Sequence, residues 1–305
     1  MSISVKILGS NSASFAHNRH QTSQVVEIDN IFFLVDCGEG TQIQAKRYNV
    51  KISKIDYILI SHLHGDHYYG LIGLISTMHL YGRRKTLTLI GPPGLLEIIT
   101  LQLKHSGTNL AFKINLIEWK VGIQELILDL PKLTIKTIPM NHSISCSGYL
   151  FEEKENLRRL NVNCLPEQLT PFEIKTLKSG ADLLNADGSV RYVNQLVTLP
   201  PKKHDSYAFC SDTRHQPEIL NWIKGVDLLY HETTFMNDLV QRAQKTYHST
   251  TNQAGQLAAA AKVKKLIIGH FSTRYRDLTP LLDEVKACFD KTYLATEGSI
   301  FKTDD

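Results

Sequence analysis

The stretch Ser61-His62-Leu63-His64-Gly65-Asp66-His67, entered from the apolar run Ile58-Leu59-Ile60, constrains this chain more than any other. Few residue types bind a divalent transition metal, and His62, His64, Asp66 and His67 set four of them within six positions. Alternate residues of an extended segment point to the same side, so His62 and His64 can share one ion. A turn at Gly65 then lets Asp66 and His67 face a second ion close by. Imidazole and carboxylate without thiolate suit a catalytic zinc, with manganese or iron as alternatives, better than a closed structural cysteine site. Chance histidines in a polar loop are the bland alternative. The position directly after a predicted strand, where ligands can be held rigidly, argues against it.

Such a loop needs a scaffold. The chain has 305 residues, 42% of them hydrophobic, enough for a buried core in one large domain or two small ones. The net charge of +4 admits an anionic substrate without requiring one. The five cysteines (Cys37, Cys146, Cys164, Cys210 and Cys288) are scattered and odd in number, which argues against a disulfide framework and fits a reducing cytoplasm. No charged segment precedes a long apolar one at the start, so no signal peptide is expected. No apolar run is long enough to cross a bilayer.

In chain order, Ser4 to Leu8 reads as a strand. Val25–Ile28 and Ile31–Val35 read as a hairpin through Asp29-Asn30. Asp36 then stands at a strand end before Cys37-Gly38-Glu39-Gly40-Thr41-Gln42, where it could brace a neighbouring loop or merely cap a helix. Ile55–Ser61 is the strand that carries the histidines. Gly70–Leu80 is expected to be a helix with Leu71, Leu74, Ile75 and Met78 on one face. A strand follows at Leu87–Ile90, then a helix at Leu95–Leu103 and further strands ending at Leu133–Ile138. Strand–helix alternation mixed with hairpins predicts an α/β protein with an αββα arrangement, sheets inside and helices outside.

Residues 154–201 change character. They are polar, lean to helix over Phe172–Lys178 and turn at Asp187-Gly188. This stretch reads as an inserted arm dividing one domain into residues 1–153 and 202–305. Its charges are evenly mixed and show no basic nucleic-acid grip. Strands resume at Ser206–Cys210, Val226–Tyr230 and Lys265–Ile268. Ser249 or Thr250 is expected to cap the alanine-rich helix Asn252–Lys262.

His62, His142, Asp212, Glu232 and His270 each follow the C-terminal end of a short β-leaning run, where open sheets gather their sites. Singly they have ordinary explanations. A lone histidine such as His142 is more often a hydrogen-bonded loop residue, and Glu232 with His248 could be a buried ion pair. Jointly they can supply two metal centres with Asp212 between them, and two ions about 3.5–4 Å apart form the clamp used for in-line displacement at phosphorus.

Further marks are Leu8-Gly9-Ser10, Gly91-Pro92-Pro93-Gly94-Leu95, Asn141-His142, Ser211-Asp212-Thr213, His231-Glu232-Thr233-Thr234-Phe235, His248-Ser249-Thr250-Thr251 and Gly269-His270-Phe271-Ser272-Thr273-Arg274-Tyr275. In these, over nearly its whole length, the chain resembles the short form of ribonuclease Z, of the metallo-β-lactamase fold. The histidine signature alone would give only the superfamily, which includes lactamases, glyoxalases and phosphodiesterases. The aspartate motif and the His-Glu-Thr-Thr and His-Ser-Thr-Thr pair are far more specific.

The resemblance implies a zinc-dependent endoribonuclease that removes the 3′ trailer from precursor tRNA. It would cleave after the discriminator nucleotide and leave a tRNA 3′-hydroxyl and a 5′-phosphorylated trailer. It implies two zinc ions per subunit, one held by His62, His64 and His142, the other by Asp66, His67 and His270, with Asp212 bridging and Asp36 supporting from beneath. Asp66 would orient or deprotonate the attacking water. His248, kept protonated by Glu232, would protonate the leaving 3′-oxygen. The arm falls where the family's flexible arm grips the tRNA elbow from the partner subunit of a homodimer. The usual Gly-Pro pair is missing there, and Leu169-Thr170-Pro171-Phe172 stands nearby. The setting implied is cytoplasmic, with no membrane. The loop Asn18-Arg19-His20-Gln21, the run Arg83-Arg84-Lys85 and Arg274 are candidate phosphate contacts or ordinary surface. The alternative function is a small-molecule phosphodiesterase of the same fold, which would have no use for the arm.

Overall fold

The computed structural model describes residues 2–154, 157–165, 168–201 and 203–304. Asp29 and Asn30 both adopt positive φ, 51° and 62°, the backbone that a two-residue hairpin turn needs to match the twist of its strands. Asp and Asn tolerate that conformation better than other residues with side chains. The turn joins β2 (Ser23–Ile28) to β3 (Ile31–Val35), and β1 (Ser4–Gly9) pairs antiparallel with β2. Beyond β3 the pairing turns parallel through β4 (Ile55–Leu59), β5 (Leu87–Gly91) and β6 (Ile114–Glu118).

A second sheet contains β7 (Leu126–Asp129), β8 (Leu133–Pro139), β9 (Ser147–Glu153), β10 (Ser206–Cys210), β11 (Leu228–Glu232), β12 (Lys265–Gly269) and β13 (Thr292–Leu294). Its order is β13-β12-β11-β10-β9-β8-β7, and β10 to β13 run parallel. The last strand, β14 (Ile300–Lys302), returns to the outer edge of the first sheet beside β1. The sheets meet through buried aromatic residues. Phe33 packs edge-on to Phe151 at 5.5 Å between ring centroids, and Tyr149 donates its hydroxyl to the Ile60 carbonyl at 2.6 Å.

Helices close the outer faces, giving the αββα layering expected from the alternation. Leu71–Leu80 buries Leu71, Leu74, Ile75 and Met78 in a cluster with Leu34, Ile58, Leu87 and Leu89. The helix Thr251–Ala261 buries Leu257, Ala258 and Ala261 beside Leu229 and Ile268. Its cap is Thr250, which accepts from the Gln253 N–H while the Gln253 side chain accepts from the Thr250 N–H.

β11 runs two residues beyond Tyr230, where the apolar pattern stops. The parallel ladder with β12 continues through His231–Ile268 and Glu232–Gly269. These polar residues look like loop in the sequence because their burial is set by the site they build.

The chain divides into two compact units, residues 1–129, 134–152 and 205–305 in one, and 130–133 with 153–204 in the other. Within the second unit, Leu177, Leu183 and Val197 are buried, ringed by Leu160, Leu165, Leu169 and Tyr192. Its strands are two or three residues long, too short to leave an alternating pattern: Arg159–Leu160 against Thr198–Leu199, and Leu183–Leu184 against Val190–Tyr192. Its helix starts at Pro171, one residue before the expected Phe172. Thr170 caps it, and proline suits a first turn whose N–H needs no partner.

Candidate metal centre and active site

Parallel strands bring their C-terminal ends to one edge. β10, β11 and β12 therefore deliver Asp212, Glu232 and His270 together, and β4 delivers His62 from the other sheet. The turn expected at Gly65 is the first turn of the short helix Gly65–Tyr68, with His64 as its N-cap. A Cβ at Gly65 would lie 2.3 Å from the Tyr69 ring, so only glycine leaves that ring its place.

The seven side chains singled out as ligands meet in space. The Nδ1 atom of His64 lies 3.0 Å from His62 Nε2 and 3.1 Å from His142 Nε2. The Nε2 atom of His270 lies 3.3 Å from His67 Nε2 and 3.4 Å from Asp66 Oδ2. Asp212 stands between the groups, with Oδ2 3.8 Å from both His62 and His142 and 3.6 Å from His67, and Oδ1 3.2 Å from His270. Three donor sets result: His62, His64, His142 and Asp212; Asp66, His67 and His270; and Asp212, His248 and His270. Within each set the donor atoms lie within 4.8 Å of one another.

Divalent cations fit this arrangement. The distal nitrogen of each of four rings has its own partner. His67 Nδ1 donates to Asp36 Oδ2 at 2.7 Å, His142 Nδ1 to the Tyr247 carbonyl at 3.0 Å, His270 Nδ1 to Thr234 Oγ1 at 2.9 Å, and His62 Nδ1 to Ser61 Oγ at 3.0 Å. With Nδ1 so engaged, each of these rings turns Nε2 toward the others, the nitrogen that is left to bind an ion. Asp212 Oδ1 is buried and accepts no hydrogen bond, the state expected of a carboxylate oxygen reserved for an ion. Burial opposes charge on His67, yet Asp212, Asp66 and Asp36 around it push its pKa well above the ordinary value. Three carboxylates about one imidazole are an excess of negative charge that metal ions neutralise. Burial pushes His62 and His142 down, keeping them neutral donors.

Asp36, which the sequence left between two roles, is a brace. The N-cap of the following helix is Gly40, while Asp36 accepts from the Ser61 N–H at 2.7 Å, the Ser61 hydroxyl at 2.9 Å and His67. Metal-binding imidazoles need such partners to fix tautomer and ring orientation.

Glu232 does more than pair with His248. Its Oε1 accepts from the backbone N–H groups of Thr213 and Ser249 at 3.2 and 2.9 Å and from His248 Nδ1 at 3.0 Å. Its Oε2 accepts from the N–H and hydroxyl of Thr234 at 2.9 and 2.8 Å. One buried carboxylate thus ties the Asp212 loop, the His248 loop and the orienting partner of His270. Burial disfavours the His248 imidazolium, but the charge and hydrogen bond of Glu232 outweigh it and raise the pKa to about 9. Thr234, Tyr247 and Ser61 were not read from the sequence as site residues. Thr234 was visible as part of a motif, but the Tyr247 contribution is a backbone carbonyl, which no side-chain pattern reports.

His248 and five of the donors, His64, Asp66, His142, Asp212 and His270, line a cleft of about 460 Å³ whose walls also include Ser12, Ala13, Tyr69, Ser143 and Thr246. The other basic candidates fare differently. The Arg83 guanidinium is held by Asp56 and the carbonyls of Ile55, Lys85 and Thr86, and Lys85 pairs with Asp56. Arg19 bonds Asn11 and the carbonyls of Tyr275 and Arg276, and His20 pairs with Glu297. These groups serve the fold. Arg274 is exposed, donates to Ser272 Oγ at 3.1 Å and lies over Phe235.

Comparison with known proteins follows the same lines. A protein-family model described as Anti-Pycsar protein Apyc1 matches residues 3–156, the half that holds the histidine signature. Ribonuclease Z of Cytophaga hutchinsonii is 48% identical, covering 100% of this chain and 97% of that protein. Ribonuclease Z of Bacteroides thetaiotaomicron is 43% identical, covering 96% and 92%. Among solved structures, human tRNase Z, short form, superposes with a TM-score of 0.71 at 22% identity, covering 98% of each chain. The metallo-β-lactamase fold protein YhfI of Bacillus subtilis gives 0.69 at 18% identity over 99% of each. The chain belongs to the ribonuclease Z family, hydrolytic endoribonucleases on the metallo-β-lactamase fold, and over residues 3–156 also to the family described as Anti-Pycsar protein Apyc1.

Proposed function

We propose that the protein removes the 3′ trailer of precursor tRNA by cleaving after the discriminator nucleotide, with two zinc ions held by His62, His64 and His142 on one side, Asp66, His67 and His270 on the other, and Asp212 between. The observation that carries this reading is the convergence of those donors beside the Glu232–His248 pair at one cleft. Bound ions would acidify water and neutralise charge building on the phosphate.

The remaining steps belong to the chain's own groups. Burial disfavours the Asp66 anion, but His67 and His270 hold its carboxyl far below the usual range, so it stays ionised. The Ala13 N–H fixes its Oδ2 at 2.7 Å, and the carboxylate can orient or deprotonate the attacking water. His248 has Nδ1 committed to Glu232, so Nε2–H is its free donor. As water oxygen bonds to phosphorus, the P–O3′ bond breaks and His248 passes its proton to the departing 3′-oxygen. The products are a tRNA 3′-hydroxyl and a trailer ending in a 5′-phosphate.

The arm, residues 154–201, is assigned to gripping tRNA within a homodimer. What supports this is its own small core and its place in the family resemblance. Among the described residues no helix is long and apolar enough to cross a membrane. A precursor tRNA with a 3′ trailer should be cut at the discriminator, lose cleavage on chelation and regain it with zinc. Turnover of a small phosphodiester with no action on precursor tRNA would overturn the reading.

A further inference from the structure

We propose that Arg214 is a positioning residue that locks the loops of His142, Asp212 and His248 into one arrangement, acting through Tyr247. The inference rests on the metal-centre assignment above. Arg214 comes two residues after Asp212. Its N–H donates to the Asn141 carbonyl at 2.9 Å, and the Asn141 N–H donates to Thr213 Oγ1 at 3.1 Å. The segment bearing the bridging carboxylate is thereby laced in both directions to the residue before His142. The guanidinium reaches the third loop. Its Nε donates to the Gln244 carbonyl at 2.7 Å, and Cζ sits 3.6 Å from the centre of the Tyr247 ring.

Tyr247 is the residue on which this matters. It ends the helix Val240–Thr246 in a left-handed conformation, φ 60° and ψ 44°, which residues with a side chain resist. Held there, its carbonyl accepts from His142 Nδ1 at 3.0 Å and leaves His142 Nε2 facing His64 and Asp212. The next residue is His248. Arg214 can therefore set the tautomer of one donor and the position of the general acid through one ring. A flat guanidinium can stack on a ring and donate from its edge at the same time, whereas a lysine ammonium cannot do both. Among the described residues the Arg214 guanidinium engages the Gln244 carbonyl and the Tyr247 ring rather than a carboxylate.

The test compares wild type with Arg214→Lys, Tyr247→Asn and the double variant, with His142→Ala as reference. Asparagine tolerates the left-handed backbone, so that variant removes the ring without adding strain. Measurements are kcat and KM on precursor tRNA, the rate of zinc release to a chelator, and the melting temperature of the metal-free protein. Each single variant should lose about 10–100-fold in kcat and in metal retention, the range found when partners of metal ligands are removed. KM and metal-free melting should not change, and the double variant should lose no more than the singles. An Arg214→Lys variant that keeps wild-type kcat and metal retention overturns the inference, because a mere RNA phosphate contact is satisfied by either cation. A lowered metal-free melting temperature overturns it too, by showing a general structural role. If His142→Ala itself retains both zinc ions, the metal assignment falls and this inference with it.

Discussion

The unit that holds the donor cluster and the unit formed mainly by the arm solve opposite problems. The first is built on two seven-stranded sheets and spends its rigidity on polar groups. His62, His67, Asp212, Glu232 and His270 are all buried, and His62, His67, Glu232 and His270 are each held by a named hydrogen-bond partner. The second rests on Leu177, Leu183 and Val197, while Val162, Phe172 and Leu196 stay largely exposed. Large sheets can hold charges out of water. A core of three buried residues can hold only itself, so the two units should break in different ways.

The largest effect is expected at Asp212, which stands between the His62, His64 and His142 group and the Asp66, His67 and His270 group. Asp212→Ala should abolish cleavage, by roughly 10⁴-fold or more, the scale seen when one member of a group acting as a unit is removed. It should also empty the site, as elemental analysis of the purified variant would show. Full zinc content in Asp212→Ala would break the picture of a carboxylate between two ions. Next comes His248→Ala, with an expected loss of about 10²–10⁴-fold in kcat from the missing proton donor. Here zinc content should hold, because the His248 Nδ1 that comes near Asp212 and His270 is already committed to Glu232. Zinc loss in this variant would merge two roles that the comparison keeps apart.

Much of the first unit was legible because burial in sheets leaves periodic signals. Leu71, Leu74, Ile75 and Met78 announced their helix face, and Asp29-Asn30 announced the hairpin turn. The donors were legible because they stand at strand ends, and parallel pairing of β10 to β12 turns that one-dimensional regularity into a cluster. What stayed hidden has two causes. Glu232 extends β11 beyond its apolar run because its burial is compensated by five donors from three segments, and no local pattern encodes those. Tyr247 acts through its carbonyl, which every residue has. In the arm, strands of two or three residues are below the length at which alternation can be read.

A smaller change should separate the units physically. Leu177→Ala removes a fully buried side chain from the arm's core, a cost of about 2–5 kcal/mol for such truncations. That is enough to melt so small a core by itself. Amide exchange should lose protection in the arm while β10 to β12 keep theirs. Cleavage of precursor tRNA should weaken, mainly through KM, and hydrolysis of a small phosphodiester should not. Loss of protection across both units would show that they fold as one.

The smallest expected effect concerns acid. Glu173 sits at the first turn of the arm's helix, where the Thr170 N–H and hydroxyl donate to it and Arg191 pairs with it at 2.6 Å. The Thr170 backbone bond, then its hydroxyl, then Arg191, hold the Glu173 carboxyl below the usual carboxylate range. Because the folded value is depressed, its stabilisation is fully present above the unfolded value of about 4.3 and is lost as pH falls through the folded one. Glu173→Gln keeps a side-chain oxygen for the cap but titrates nothing. Arm protection in wild type should therefore decline on acidification below that range, and the part of the decline due to Glu173 should be missing in the variant. Protection of β10 to β12 should not depend on this substitution at any pH. An identical pH course in both proteins would mean that the charge on Glu173 adds nothing to the arm beyond what a neutral cap supplies.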